Sequence, residues 1–274
     1  MNSYVVSALK MPTKGHVYPL AQLMENKSPS PEFHGPFNLF TYHTLNDKPK
    51  NWSDSYRAMN VRLEMTDHHG THIDSLNHIG IGFSLYGGID GREITTENGT
   101  TKLGIETVEP LITRGVMVDV ARYRGEEIIS RDFEITKGET LNILKSQETK
   151  VPKRGDVVLF RTGYGRLWND DKVKYISPPI PGISLDVADW AISQGVTAVG
   201  ADTSGVEYMP PRDPPEGHLA PVHMKLIASA GIYLMENLRL ETLSETKIYE
   251  FLFICAPLKL KGATASPITP LAIV

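Results

Sequence analysis

One short segment, residues 67–78, constrains this chain more than any other part of its sequence. It reads Asp-His-His-Gly-Thr-His-Ile-Asp-Ser-Leu-Asn-His and holds four of the nine histidines and two acidic residues. Because the side chains of an extended backbone alternate between two faces, residues of even number share one face. Here those residues include His68, His72, Asp74 and His78. The fold must therefore place several metal-ligating side chains together.

The spacing between His68 and His72 requires the chain to bend. A straight strand would hold these two residues about 13 Å apart, whereas one ion binds each imidazole at roughly 2.0–2.1 Å. Gly70 lies between them and permits a sharp turn, and one helical turn would also bring residues four apart together. We therefore expect a bend or coil over 68–72, followed by extended backbone that points His72 and Asp74 the same way.

Two imidazoles and a carboxylate from one segment predict a divalent-metal site. Such a set leaves positions open for water, as a catalytic site needs. Two alternatives fit the same residues. Non-haem iron oxygenases also use two histidines and one carboxylate, including a His-x-Asp pair, and a non-catalytic protein can bind metal through these groups. A lone histidine is most often a solvated or core residue, but three histidines and an aspartate on one face are harder to explain in that way.

A second segment, 222–236, contributes two more candidate ligands. Residues 222–230 favour a helix, and residues 232–236 favour a strand that ends with Glu236. A helix of about eight residues spans ~12 Å and a strand of about five residues ~17 Å. His223 and Glu236 therefore meet if the strand runs back along the helix. A carboxylate buried after four apolar residues needs a partner, which a metal or an arginine would provide.

The pattern His68-x-Gly70-Thr71-His72-x-Asp74-x-x-x-His78 resembles the signature of the cyclase family of metal-dependent hydrolases. That family includes bacterial kynurenine formamidase, isatin hydrolase and trans-dienelactone hydrolase. Leu76 stands where the short formamidase-like members carry proline, so the chain is more similar to the longer cyclase subgroup. Further blocks resemble the family in the family's order, at 160–164, 181–184, 199–204, 223–238 and 261–267. The resemblance implies a swivelling β/β/α-type fold.

The resemblance also implies a role for each polar residue of the two segments. The motif would hold a first divalent ion, zinc or manganese, and the later segment could hold a second that shares one aspartate, so the resemblance implies one or two ions per chain. The implied ligands in chain order are His68, His72, Asp74, His223 and Glu236. His78 would be the acid–base residue, because an imidazole with a pKa of about 6.5 exchanges protons near neutrality. The expected reaction is hydrolysis of an amide or a lactone by water that the metal activates.

Composition and charge narrow the class of protein and its partners. The chain has 274 residues, of which 41% are hydrophobic and 22% charged, which suits one domain over residues 1–274. The net charge of −4 provides no basic surplus for phosphate contacts, so we expect no nucleic-acid partner. Neither a long apolar span nor a secretory pattern is present, so we expect no membrane partner and a cytoplasmic location. The single Cys255 lies in an apolar run and is expected to pack in the core.

The rest of the chain alternates helix and strand signals. Apolar runs predict strands at 4–9, 115–120, 156–162 and 196–200, and a helix is predicted at 185–194. Strands that alternate with helices in this way favour a single α/β domain with a mixed sheet.

Residues 22–60 form a long polar segment that contains Pro29, Pro31, Pro36 and Pro49. A loop of this length in a compact domain is usually functional or mobile. We expect a flap over the site or a contact within a homo-oligomer, a dimer or tetramer. A poorly packed surface insertion is the alternative.

Three residues are candidates for a substrate pocket. Phe83 and Tyr86 lie in a glycine-rich loop after the motif, and Ser204 follows a buried strand. Trp52 and Trp168 are further aromatic candidates. Flat aromatic walls would suit a small cyclic or aromatic substrate, whereas the alternatives are core packing for the aromatics and helix capping for the serine.

Overall fold

A nine-stranded mixed sheet organises the computed structural model of this chain, which describes residues 3–47, 51, 53, 55–212, 214 and 218–274. In chain order the strands are β1 (Val17–Pro19), β2 (His72–Asp74), β3 (Leu111–Asp119), β4 (Val157–Arg161), β5 (Ala198–Ala201), β6 (Tyr233–Glu236), β7 (Glu250–Cys255), β8 (Ala265–Pro267) and β9 (Leu271–Ile273). Across the sheet their order is β1-β9-β7-β3-β4-β5-β6-β2-β8. The C-terminal strands β8 and β9 thus pair with the early strands β2 and β1.

The four strands β3, β4, β5 and β6 run parallel, and all other neighbours in this sheet are antiparallel. The register between β6 and β2 pairs Glu236 with His72, and that between β2 and β8 pairs Asp74 with Ala265. The pairing therefore brings the carboxyl end of β6 to the histidine motif.

Helices and short two-stranded sheets surround the main sheet. The helices are α1 (Ser3–Ala8), α2 (Gly91–Ile94), α3 (Val120–Arg124), α4 (Lys137–Ser146), α5 (Leu167–Asp170), α6 (Lys172–Ile176), α7 (Leu185–Gln194), α8 (Pro221–His223) and α9 (Glu241–Glu245). A π-helical stretch, Met224–Ser229, continues α8, and single 3-10 turns lie at Glu32–His34, Tyr86–Gly88, Ile105–Thr107 and Tyr164–Arg166. The two-stranded sheets pair Asn38–His43 with Asn60–Glu64, Ser84–Leu85 with Ile89–Asp90, Thr95–Thr96 with Gly99–Thr100, and Glu134–Ile135 with Gly182–Ile183. No helix in the described part of the chain is long and apolar enough to cross a bilayer.

Side-chain alternation along the central strands builds a core on each face of the sheet. On β4, Val158 and Phe160 join one cluster of buried residues together with α4 and α7, whereas Val157 and Leu159 join another with β7. Because both faces are covered, every residue of β4 is buried. This two-sided burial explains why the sequence shows a continuous apolar run there rather than an alternating one.

The sequence predicts most of these elements correctly. The strands predicted at 115–120, 156–162 and 196–200 and the helix at 185–194 are confirmed within a few residues at their ends, and Cys255 is buried. The strand predicted at 4–9 is wrong, because Ser3–Ala8 forms helix α1. A short apolar run fits a strand and a buried helical turn equally well. Here α1 packs across β3 and β7, and Ala8 is 2% exposed.

A cluster of buried charges lies at the carboxyl ends of the parallel strands. The Arg161 guanidinium donates a hydrogen bond to Asp119 Oδ1 at 2.9 Å, and its Nε lies 3.9 Å from Glu241 Oε1. Neither Arg161 Nε nor Glu241 Oε1 has a hydrogen-bond partner among the described residues. Burial, reinforced by the nearby Asp202 carboxylate and opposed by Arg161, raises the pKa of Glu241 to about 7.

Replacing Glu241 by Gln is expected to stabilise the protein at pH 8 and to leave it unchanged near pH 4. The pKa of Glu241 is higher in the folded chain than in the unfolded one, so the folded state binds more protons between about pH 4.5 and 7. Wild-type stability therefore falls as the pH rises through this window. The gain at pH 8 should be about 2 kcal/mol, measured by urea unfolding at several pH values. Glu245→Gln, an exposed change in the same helix, is the control. Equal pH profiles for Glu241→Gln and wild type would contradict the assignment.

Candidate metal centre

The predicted bend in the histidine motif is confirmed. Gly70 has φ of +69°, and β2 begins two residues later. The positive φ favours glycine, and a Cβ at Gly70 would lie 2.5 Å from the sulfur of Met24, so a larger residue would also have to displace that flexible side chain. The bend places the rings of His68 and His72 with their centroids 5.1 Å apart. Two residues that a straight strand would separate therefore face one centre.

Asp74 lies at this centre. Its Oδ1 is 3.0 Å from His68 Nδ1 and 3.5 Å from His72 Nε2. Its Oδ2 is 4.0 Å from His223 Nε2. The residue is 1% exposed, and neither carboxylate oxygen makes a hydrogen bond of good geometry within the described chain, although the Asp74 carboxylate lies near enough to His68 to raise the pKa of that imidazole against the effect of burial. A buried carboxylate without such hydrogen bonds is strongly unfavourable unless a cation faces it, so this arrangement fits a metal ion.

Helix α8 and strand β6 bring the later segment to the same place. His223 Nε2 lies 3.0 Å from Glu236 Oε1, and Glu236 Oε2 lies 3.5 Å from His72 Nε2. On its other side, the His223 ring contacts Glu207 through Nδ1 at 2.5 Å. The helix and the strand thus run back along one another, which is the arrangement in which His223 and Glu236 can meet.

Two sets of side chains in the described chain have ligand atoms that all lie within 4.8 Å of one another: His68, Asp74 and His78, and Asp74, His223 and Glu236. Asp74 belongs to both. The first set contains His78, the residue predicted above to act as the acid–base group. His72 belongs to neither set, but its Nε2 lies 3.5 Å from an oxygen of Asp74 and 3.5 Å from an oxygen of Glu236. The structure therefore gathers all six polar residues that the two sequence segments nominate.

The outward nitrogens of His68 and His72 are anchored by neutral groups. His68 Nε2 donates to the Thr264 hydroxyl at 2.9 Å, and that hydroxyl donates to Asp67 Oδ2 at 2.9 Å. His72 Nδ1 donates to the backbone oxygen of Gly70 at 2.9 Å. When the outward nitrogen carries the proton, the inward nitrogen keeps its lone pair. Both rings are therefore oriented to bind a cation at the centre.

Electrostatic effects at the centre differ between the two later histidines. Burial lowers the pKa of His78 to about 4, and the neighbouring imidazoles add to this effect. Burial also opposes the charged form of His223, but its hydrogen bonds to Glu207 and Glu236 outweigh burial and raise its pKa well above the ordinary range. Burial raises the pKa of Asp74, yet His78, His68 and His72 outweigh it and hold this carboxyl far below its usual pKa. The centre thus keeps Asp74 ionised.

A cavity of about 230 Å³ opens beside these groups. Its lining residues are Phe33, His34, His68, Asp74, His78, Ile79, Ser204, Gly205, Met209, Ala220, His223 and Glu236. Ser204 is therefore at the site, as predicted for a pocket residue. Phe33 and His34 come from the long segment 22–60, and the His34 ring stacks on His68 with centroids 5.0 Å apart. This part of the segment lies directly over the candidate metal ligands.

The aromatic residues expected to line a pocket lie elsewhere. Phe83 is 62% exposed and packs under the guanidinium of Arg92. Tyr86 contacts Gly231, which follows the π-helical continuation of α8. Neither lines the cavity. Trp168 is buried, and its indole donates to the backbone oxygen of Leu23 at 2.9 Å, so it anchors the chain near the start of the segment 22–60. Trp52 lies outside the described residues.

Sequence reasoning missed three residues at this site. His34 has no ligand-like neighbours in sequence, Glu207 lies in a proline-rich region, and Thr264 belongs to a block that resembled the family only loosely. A signal was available for Glu207, since a carboxylate beside apolar Val206 needs a partner if it is buried. Its partner, His223, is sixteen positions away.

Comparisons with known proteins place this arrangement in a family. A sequence model of the family described as "Putative cyclase" matches residues 18–208. The chain belongs to the cyclase family. Cyclase-like protein 3 of Oryza sativa subsp. japonica is 28% identical over 228 residues, covering 80% of this chain and 67% of that protein. The family resemblance of the motif is confirmed.

Two solved structures of other proteins share the fold. The crystal structure of a novel cyclase superposes with a TM-score of 0.89 at 27% identity, covering 100% of this chain and 93% of that chain. Isatin hydrolase A of Labrenzia aggregata, bound to benzyl benzoate, superposes with a TM-score of 0.69 at 22% identity, covering 94% and 93%. The predicted α/β fold class with a mixed sheet is confirmed for the described chain.

Proposed function

We propose that this cyclase-family protein is a metal-dependent hydrolase that cleaves an amide or lactone bond in a small cyclic or aromatic substrate. The observation that carries the proposal is Asp74. Its buried carboxylate makes no hydrogen bond of good geometry to the residues that the structure describes, and it belongs to both sets of candidate ligands. A protein rarely buries such a group unless a cation balances it.

The ligands in this proposal are those that the family resemblance implies, and the second set, but not the first, coincides with a close group of side chains in the described chain, because the first close group contains His78 in place of His72. His68, His72 and Asp74 hold one divalent ion, and Asp74, His223 and Glu236 hold a second, with zinc or manganese as the candidates. Imidazole and carboxylate ligands suit both metals. When bound, an ion of this kind polarises the scissile carbonyl and lowers the pKa of water from 15.7 to about 7.

His78 is the proposed acid–base residue. Its ring lies over His68, with centroids 4.1 Å apart, and it lines the cavity where the substrate would bind. From there it can take a proton from the attacking water and return one to the leaving nitrogen or oxygen. Once the imidazole has accepted a proton from the water, it can donate a proton to the leaving group.

The cavity supports a small and largely apolar substrate. Its walls carry Phe33, Ile79, Met209 and Ala220, while its polar groups gather at the ligand end and at Ser204. About 230 Å³ suits a ring system of one or two rings rather than a polymer. The relative isatin hydrolase A takes its name from such a cyclic amide. An isatin-like cyclic amide or an unsaturated lactone is therefore the first class to test.

The segment 22–60 is proposed as a flap over this site. Phe33 and His34 form part of the cavity wall, and the backbone oxygen of Leu23 is tied to Trp168. Closing such a segment over a substrate would exclude water from the reaction. The homodimer or homotetramer predicted from the sequence remains a prediction.

Activity should depend on metal and not on dioxygen. Protein stripped with a chelator should be inactive, and zinc or manganese should restore hydrolysis of N-formyl aryl amines, isatin-like amides or unsaturated lactones in an anaerobic chamber. Product is measured by chromatography. Turnover that needs ferrous ion and dioxygen would instead favour an oxygenase with two histidines and one carboxylate. Tight metal binding without turnover on any substrate would favour a non-catalytic metal-binding protein.

A further inference from the structure

Glu207 is a buried carboxylate whose hydrogen bonds to the described residues all go to the start of helix α8. Its Oε2 accepts from the backbone nitrogen of Val222 at 3.1 Å. Its Oε1 accepts from the backbone nitrogen of His223 at 3.0 Å and from His223 Nδ1 at 2.5 Å. Glu207 is 2% exposed. One carboxylate therefore fixes both the backbone and the ring of a candidate metal ligand.

The backbone around Glu207 holds this carboxylate in place. Residue 207 forms a bridge with Ile183, beside the short strand Gly182–Ile183. A Cβ at Gly182 would lie 2.2 Å from the backbone carbonyl carbon of Glu207, so glycine allows the two chains to approach this closely. The carboxylate thus has little freedom to leave His223.

We propose that Glu207 is the positioning residue that selects the metal-binding form of His223. Without metal, Nδ1 donates to Glu207 Oε1 and Nε2 donates to Glu236 Oε1. When an ion takes the place of the Nε2 proton, Glu207 keeps the remaining proton on Nδ1, and Nε2 offers its lone pair to the ion. Nε2 is the nitrogen that lies 3.0 Å from Glu236 and 4.0 Å from Asp74. The inference rests on the proposed function, since it concerns the ion that Asp74, His223 and Glu236 would hold.

The anchor of His223 differs from those of the other two histidines. His68 donates to a hydroxyl and His72 to a backbone oxygen, which are both neutral groups. Only His223 of these three donates to a carboxylate, and a charged acceptor makes the inward nitrogen a stronger ligand. Loss of the Glu207 charge should therefore weaken one of the two proposed ions and spare the other.

Gln cannot replace Glu at this position. Three N–H donors point at the Glu207 carboxylate, and a carboxamide offers one acceptor oxygen together with an NH₂ donor. If the amide oxygen faces His223, the NH₂ group opposes the Val222 N–H. If it faces Val222, the NH₂ group opposes the His223 backbone N–H and favours the ring tautomer with the proton on Nε2, which closes that nitrogen to metal.

The test is a metal titration of the full-length protein after chelator treatment, with zinc or manganese and a competing chromogenic chelator. Wild type should bind two ions per chain. In Glu207→Gln, one of the two should bind about 10–100-fold more weakly, with the other unchanged. Glu207→Asp, which keeps the charge, should recover part of the affinity. Thr264→Val is the matched variant, because it removes the anchor of His68 and should weaken the other ion.

Each outcome has a distinct meaning. Wild type that binds no zinc or manganese overturns the proposed function and this inference together. Wild type that binds metal while Glu207→Gln binds it equally well overturns the inference alone. If Glu207→Gln does not fold, long-range ¹⁵N–¹H NMR of zinc-loaded wild type shows which ring nitrogen of His223 carries the proton. A His223 ring protonated on Nδ1 supports the inference, and one protonated on Nε2 overturns it.

Discussion

Replacing Asp74 by Asn is expected to remove metal from both ligand sets and to lower turnover by roughly 10³–10⁴-fold. Asp74 is the residue that the two sets share. Within the described ranges of the chain its buried carboxylate makes no hydrogen bond of good geometry, so its charge is available to a cation at the centre. A carboxamide is neutral and would turn one face of the group into a donor that repels the ion. Metal per chain is measured by elemental analysis on the sample used for turnover.

The control for this prediction is Asp90→Asn. Asp90 caps helix α2 at the surface, and asparagine caps a helix about as well as aspartate does. Metal content and turnover of this variant should equal those of wild type. Retention of two ions and of near-normal turnover by Asp74→Asn would show that the centre of the proposed site has been placed wrongly. Circular dichroism checks that both variants are folded.

Local sequence patterns were sufficient to predict the central strands and to nominate the candidate ligands that the fold brings together. The run over 156–162 is apolar throughout because β4 is covered on both faces, and a continuous apolar run bounded by turn residues is a strong local signal. In the histidine motif, the two-residue step from His72 to Asp74 predicted side chains on one face, and β2 has that geometry. Gly70 marked the bend. Each of these inferences used residues within a few positions of one another.

Other features depend on contacts between residues distant in sequence, and no local pattern reveals them. His34 stacks on His68 across more than thirty residues of chain, so its sequence neighbours carry no sign of the site. The orientation of Phe83 and Tyr86 depends on turns around glycines with positive φ, which the side-chain periodicity of a strand does not describe. Helix α1 is fixed by packing on β3 and β7 rather than by the propensity of its residues.

The groups that anchor the histidine rings also come from parts of the chain that are distant in sequence from those histidines. Thr264, which accepts from His68, reaches the site because β8 pairs with β2. Glu207 reaches His223 because residue 207 bridges Ile183 near the start of α8. A sequence motif specifies the atoms that would touch a metal, whereas the groups that orient those atoms come from strands whose neighbours are set by the whole sheet. We therefore expect prediction from sequence to name ligands more readily than the residues that position them.

Replacing His78 by Ala is expected to lower turnover by about 10²–10⁴-fold, the usual contribution of a positioned acid–base group, while metal content stays near that of wild type. His78 lines the cavity and lies over His68, within reach of a substrate at the ligand centre. The loss should be larger for amides than for activated esters, since an amide nitrogen departs only after it gains a proton and an activated ester needs no such help. His16→Ala, the same change at an exposed position outside the segment 22–60, is the control.

Metal content and turnover of the His78→Ala sample separate proton transfer from metal binding. His68, Asp74 and His78 have ligand atoms within 4.8 Å of one another, so geometry also allows His78 to bind an ion. If it did, the variant would lose metal, and an excess of zinc or manganese would restore turnover by mass action. If His78 moves protons instead, added metal changes nothing, whereas a small base such as imidazole can enter the space left by the ring and restore part of the amide hydrolysis. Recovery with metal and none with imidazole would show that His78 is a ligand.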